Sequence, residues 1–136
     1  MATLRLLFPT SPMDHSPRFL SHVAAVRERV REVSPTEVQA LLLDGATRVF
    51  DVREDHEWAA GHVAGAAHLG KGIIERDIER LVPDPSAPVV LYCGGGYRSA
   101  LAADALQQMG YSNVRSMAGG WRGWTEAGGA VTLPGS

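Results

Sequence analysis

The chain has 136 residues, 45% of them hydrophobic and 21% charged, with a formal net charge of -2. That length suits one compact domain with its own core, and the balance excludes a disordered or fibrous chain. The near-neutral charge offers no basic field for a phosphate backbone, which argues against nucleic acid as a partner, and a lone cysteine, Cys93, cannot form an internal disulfide.

A reducing compartment follows from that cysteine usage. The apolar patch Leu4 to Pro9 is too short and too interrupted for a signal-peptide core, and no later run reaches membrane-spanning length, so the expectation is a cytoplasmic protein with no membrane partner. Residues 1–33 are read as an N-terminal arm and amphipathic helix, and residues 34–136 as the main domain.

Met1 to Pro17 mixes three prolines with polar residues and reads as an irregular arm. From Arg18 to Val33, the positions Phe19, Val23, Val26, Val30 and Val33 recur at steps of four and three, which predicts one helix with a single apolar stripe. That stripe suits packing on the chain's own domain, or, with less support because two heptads are short for a coiled coil, a dimer seam. Ser34-Pro35-Thr36-Glu37 carries a capping box and starts a helix to Leu43, which Asp44-Gly45 stops. Arg48 to Val52 reads as a buried strand and Glu54 to Ala60 as a short helix ended by Gly61. Ala66 to Leu69 suggests another short strand, Ile73 to Leu81 a helix, and Pro83, Pro85 and Pro88 a surface loop.

Val89-Val90-Leu91-Tyr92 is continuously apolar and β-rich, as expected of a central parallel strand covered on both faces. Ser99 to Met109 then reads as a helix stopped by Gly110, Tyr111 to Met117 as a strand, and Gly119 to Glu126 as a turn into a short helix whose two tryptophans fill core space. Alternating strands and helices predict an α/β fold with a central parallel sheet flanked by helices.

In such sheets the ligand site lies beyond the carboxyl ends of the strands, where Cys93 stands at the mouth of a helix. Gly94, Gly95 and Gly96 lack Cβ atoms, so the backbone can turn several N–H groups toward the sulfur, and the helix dipole and Arg98 add positive potential. All of these favour thiolate over thiol, and the same cradle suits a persulfide anion. The competing reading, an inert buried cysteine, leaves the glycines and the arginine unexplained.

Several motifs together resemble the rhodanese family, from about Ser34 to Val131. Asp51-Val52-Arg53, Glu57-Trp58 and Gly61-His62-Val63-Ala64-Gly65-Ala66 are similar to its upstream signature, Gly119-Gly120-Trp121 to its C-terminal one, and Cys93 to Arg98 to its active-site loop. The resemblance implies a rhodanese-like three-layer α/β fold. It also implies a sulfurtransferase that moves a sulfane sulfur from thiosulfate or a persulfide donor, through a Cys93 persulfide, to a thiophilic acceptor such as cyanide or a thiol, a small molecule or a protein. It implies no cofactor and no metal, and His56, His62 and His68 have no compact ligand spacing.

Within that reading Cys93 is catalytic and Gly94, Gly95, Gly96, Tyr97, Arg98 and Ser99 form the binding loop. Arg98 is expected to contact the anion, against the alternative that it only closes a helix terminus on Asp51 or Glu57. Asp51 and Arg53 lie past another strand end as support, although such clusters are as often structural. His62 is expected to bond to backbone and not to act as a base. Cysteine-based phosphatases place one more residue between cysteine and arginine than the four here and a histidine before the cysteine, where this chain has Tyr92. The loop interior also lacks the additional basic residue found in several thiosulfate-handling members. A persulfide carrier, with the helix Arg18 to Val33 as the place where a partner attaches, or a regulatory protein-binding module is the remaining alternative.

Overall fold

The computed structural model describes residues 15–135. The apolar patch Leu4 to Pro9 and most of the expected arm lie outside these residues. The element order is α1 (Pro17–Arg27), β1 (Arg31–Val33), α2 (Pro35–Leu43), β2 (Arg48–Asp51), α3 (Asp55–Ala60), β3 (His62–Val63), β4 (Ala67–His68), α4 (Ile74–Leu81), β5 (Val89–Tyr92), α5 (Tyr97–Gln108), β6 (Val114–Met117), α6 (Gly120–Glu126) and β7 (Val131–Thr132). Five strands form one parallel sheet in the order β1-β6-β5-β2-β4, and β3 pairs antiparallel with β7 in a separate ribbon.

The sheet's two faces bury separate clusters, which makes the fold three layers deep. Phe50, Leu91 and Val114 pack with Val26 of α1, Ile74 and Ile78 of α4, and Leu106 of α5 on one face. Val49, Val90, Tyr92 and Met117 pack with Val38 of α2 and Trp124 of α6 on the other. Alternate residues of β5 thus serve opposite clusters, and all four of its residues are buried. The expected capping box is present: Glu37 N donates to Ser34 Oγ at 3.1 Å, and Ser34 N donates to Glu37 Oε1 at 2.8 Å.

One expected element changes its form. The helix anticipated over Arg18 to Val33 runs only from Pro17 to Arg27, and Arg31–Val33 is instead an edge strand paired in parallel with β6. Val30 and Val33 preserve the helical spacing and are both buried. Val30 reaches the first cluster from a turn, whereas Val33 reaches the second from a strand. Apolar spacing alone does not separate these cases. The stripe packs on the chain's own sheet and on α5, with Arg29 of the following turn paired to Asp104 at 2.8 Å.

Candidate functional site

β5 delivers Cys93 to the carboxyl edge of the sheet, and the chain turns through Gly94 to Gly96 into α5. Gly96, the N-cap of α5, has φ 97°, a left-handed conformation that a side chain would strain. A Cβ there would also press on Gly119 N at 3.3 Å. The turn folds back on the sulfur: Gly96 N donates to Cys93 Sγ at 3.1 Å and Ser99 N donates to it at 3.3 Å. The thiol in turn donates to Ser99 Oγ at 3.5 Å, and Ser99 Oγ lies 2.8 Å from Ser116 Oγ of β6. Because hydroxyl protons rotate freely, loss of the thiol proton lets Ser99 turn its own O–H toward the sulfur while accepting from Ser116. The loop thus offers the sulfur two amide donors and one switchable hydroxyl.

The outer side of the loop is fastened by α6. Trp121 N donates to Cys93 O at 2.7 Å and Arg122 N donates to Gly94 O at 3.2 Å. Gly120 has φ 54°, and a Cβ on it would overlap the carbonyl of Cys93. The Gly119-Gly120-Trp121 motif is therefore a clamp on the cysteine loop, and its tryptophans differ: Trp124 is core, while Trp121 stands with its ring 4.9 Å from the Arg53 guanidinium.

Cys93 is only 1% exposed and lies at the cavity above the loop. That cavity is about 440 Å³ and is lined by His15, Phe19, Glu57, Cys93, Gly94, Gly95, Tyr97, Arg98 and Arg122. Arg98 lies at the cavity but is paired with Glu57 through two hydrogen bonds, Nη1 to Oε1 at 2.8 Å and Nη2 to Oε2 at 3.1 Å. Those bonds hold the Glu57 carboxyl down at about 2 from an ordinary 4.5. They also raise the Arg98 guanidinium, with Cys93 adding to the effect. Arg98 thus makes the ion pair with Glu57 while its side chain lines the cavity over Cys93.

Asp51 and Arg53 do not line this cavity. Arg53 Nη2 donates to Asp51 Oδ2 at 2.8 Å and to Gly61 O at 2.7 Å, and both side chains are almost fully buried. The pair fixes the end of β2 to the turn after α3. Beside it, burial chiefly, with the charge of Asp51, raises the Tyr92 phenol well above its usual range, and Tyr92 Oη accepts from Val63 N at 3.0 Å. His62 bonds through Nδ1 to the Trp58 carbonyl at 3.1 Å and stacks on the Trp58 ring. Among the described residues no group of three or more His, Cys, Asp or Glu side chains could hold a metal, and no helix is long and apolar enough to cross a membrane.

Spacing did not single out His15, Phe19 or Arg122. The only sequence signals were that Phe19 opens the apolar stripe and that Arg122 follows the Gly-Gly-Trp motif, neither of which reveals proximity to Cys93.

Comparison with known proteins agrees with this geometry. The family model for the rhodanese-like domain matches residues 34–127. A Pseudomonas entomophila protein named thiosulfate sulfurtransferase GlpE is 37% identical over 94 residues, covering 69% of this chain and 84% of that protein. The crystal structure of a thiosulfate sulfurtransferase from Pseudomonas aeruginosa superposes with a TM-score of 0.72 at 31% identity, over 77% of this chain and 20% of that one. A Rhodopseudomonas palustris structure, described as a protein of unknown function and possible tyrosine phosphatase, gives a TM-score of 0.74 at 26% identity and covers 92% of this chain and 99% of that one. With the matched segment spanning β2, β4, β5 and β6 of the sheet, the cysteine loop and its α6 clamp, the chain belongs to the rhodanese-like domain family.

Proposed function

We propose that this chain is a sulfurtransferase that carries sulfane sulfur on Cys93. The observation behind it is the sulfur of Cys93 at the floor of an open cavity, accepting from the N–H groups of Gly96 and Ser99. Amide donors at a helix entrance favour the anionic form of whatever sulfur they hold, thiolate or persulfide.

In the first half-reaction the Cys93 thiolate attacks the outer sulfur of thiosulfate or of a persulfide. A new S–S bond forms, the donor's S–S bond breaks, and the leaving sulfite or thiolate takes the electron pair. The Cys93 persulfide is an anion of the same charge in the same cradle. In the second half-reaction cyanide or a thiolate attacks the terminal sulfur and leaves as thiocyanate or a persulfide, restoring the Cys93 thiolate. Arg98 orients the anionic donor from the cavity wall while Glu57 holds its fork in place. Ser99 and the backbone of Gly94, Gly95 and Gly96 accommodate both sulfur states, and Tyr97 borders the approach. Asp51 and Arg53 act at a distance, by holding the end of β2.

Intact-mass measurement after thiosulfate or an organic persulfide, with and without dithiothreitol, tests the proposal. One added sulfur atom, removable by the reductant and absent in Cys93→Ser, is the expected result. Turnover with cyanide that survives in Cys93→Ser would sink it. Rapid loading with negligible transfer to cyanide or small thiols would make the protein a carrier for a protein acceptor. Cys93-dependent hydrolysis of p-nitrophenyl phosphate without sulfur loading would instead favour the phosphatase description of the Rhodopseudomonas palustris protein.

A further inference from the structure

The cavity over Cys93 has a wall that comes from outside the family-matched residues 34–127. His15 and Phe19 reach it from the start of α1, and both rings pack on Tyr97 of the cysteine loop. The His15 and Tyr97 ring centroids are 4.5 Å apart, those of His15 and Phe19 5.0 Å, and those of Phe19 and Tyr97 6.1 Å. The helix is fastened to the loop itself, since Arg27 Nη2 donates to Gly96 O at 3.1 Å and the guanidinium lies 4.7 Å from the Tyr97 ring centroid. Three rings thus form a continuous aromatic surface held in register with the sulfur.

The rest of the lining is polar in a particular way. The Arg98 charge is matched by Glu57, whereas the Arg122 guanidinium has no carboxylate partner among the described residues. His15 Nε2 is buried and makes no hydrogen bond among the described residues. Among the described residues the site therefore combines an apolar wall, one unmatched cation and a cavity of about 440 Å³. A volume in the range of ordinary organic-ligand pockets far exceeds what a small inorganic dianion fills, and an aromatic wall offers such a strongly hydrated ion nothing.

The geometry points to His15 and Phe19 as specificity-determining residues that favour an organic sulfane-sulfur donor, with an aromatic or apolar body and a single negative group, over inorganic thiosulfate. This rests on the sulfur-transfer reading of Cys93. With an aryl thiosulfonate as donor, the Cys93 thiolate forms a bond to the terminal sulfur, the sulfur–sulfonyl bond breaks, and the aryl sulfinate leaves with the electron pair. The ring lies against Phe19 and Tyr97, and the sulfonyl oxygens face Arg122.

The test compares kcat/KM for benzenethiosulfonate and for thiosulfate, with cyanide as acceptor, in the wild type and in Phe19→Ala, Phe19→Leu, Phe19→Tyr and His15→Ala. The wild type is expected to prefer the aromatic donor. In Phe19→Ala the ratio of the two constants should fall about tenfold, mainly through KM for benzenethiosulfonate, since one apolar pocket contact is worth about that much. Phe19→Tyr should retain the ratio, and His15→Ala should lower it. Phe19→Leu, which keeps apolar bulk without a ring, carries the same reading should Phe19→Ala fail to fold. A wild type that prefers thiosulfate, or a ratio unchanged within about twofold across Phe19→Ala and His15→Ala, overturns the wall alone. Absence of any sulfur on Cys93 from either donor overturns the sulfur-transfer reading and the wall with it.

Discussion

Two arginine–carboxylate pairs lie near the ends of neighbouring strands, and burial sets them apart. Arg53 and Asp51 have side chains 5% and 0% exposed, and Arg53 Nη2 donates to the Gly61 carbonyl as well as to Asp51, with the guanidinium 5.7 Å from the Tyr92 ring and 4.9 Å from the Trp121 ring. Arg98 and Glu57 are 34% and 27% exposed and face the cavity over Cys93. A buried pair whose guanidinium grips both carboxylate oxygens and a backbone carbonyl is part of the frame and cannot let go of its partner without a large cost. A half-exposed pair can share its guanidinium with an incoming anion, because water and Glu57 already stabilise the charge. Similar residue types therefore serve as a fixed tie in one place and, in the proposed sulfur transfer, as an adjustable contact in the other.

The largest expected effect comes from breaking the buried pair. Arg53→Met leaves Asp51 charged and buried, and should lower unfolding free energy by roughly 3 to 5 kcal/mol in urea denaturation. A loss under about 1 kcal/mol would show that the pair is not the tie described. Arg98→Lys should do the opposite. Its stability should change by no more than about 1 kcal/mol, while the rate of Cys93 sulfur loading falls about tenfold or more as the planar fork is lost. Unchanged loading would make Arg98 a second structural tie and erase the contrast.

The smallest effect is on pH dependence. The Glu57 carboxyl sits at about 2 in the folded protein, below its ordinary 4.5, chiefly because of the Arg98 hydrogen bonds. A lowered carboxyl contributes stability that is fully present above about 4.5 and is lost as pH falls through about 2. The stability difference between wild type and Glu57→Gln should therefore shrink on acidification across that window, from at most about 1 kcal/mol because the pair is partly solvated. A difference that stays constant with pH would place the worth of Glu57 in packing and not in charge.

Much of the frame was legible because it rests on local rules. The apolar run of β5, the capping box at Ser34 and the helix-forming run after the glycine loop each announce themselves within a few residues. So did the position of Cys93, since strand, glycine turn and helix follow one another directly. The end of α1 was not legible, because Val30 and Val33 continue a helical spacing while being buried from a turn and a strand. Nor was the sorting of Arg53 from Arg98, which depends on which rings and carbonyls surround each guanidinium. The His15 and Phe19 wall was hidden for the same reason: contacts with Tyr97 join segments far apart in the chain.

The α6 clamp also governs how the cysteine loop behaves through a reaction cycle. In a trans peptide the carbonyl and the following N–H point opposite ways, so tying the Cys93 and Gly94 oxygens to α6 aims the amides of Gly94 and Gly95 away from that helix. Neither peptide plane can flip without giving up a bond to Trp121 or Arg122. In the proposed sulfur transfer these two peptide dipoles would keep their direction as charge moves from one sulfur to the next, so their reorientation would add little to the barrier.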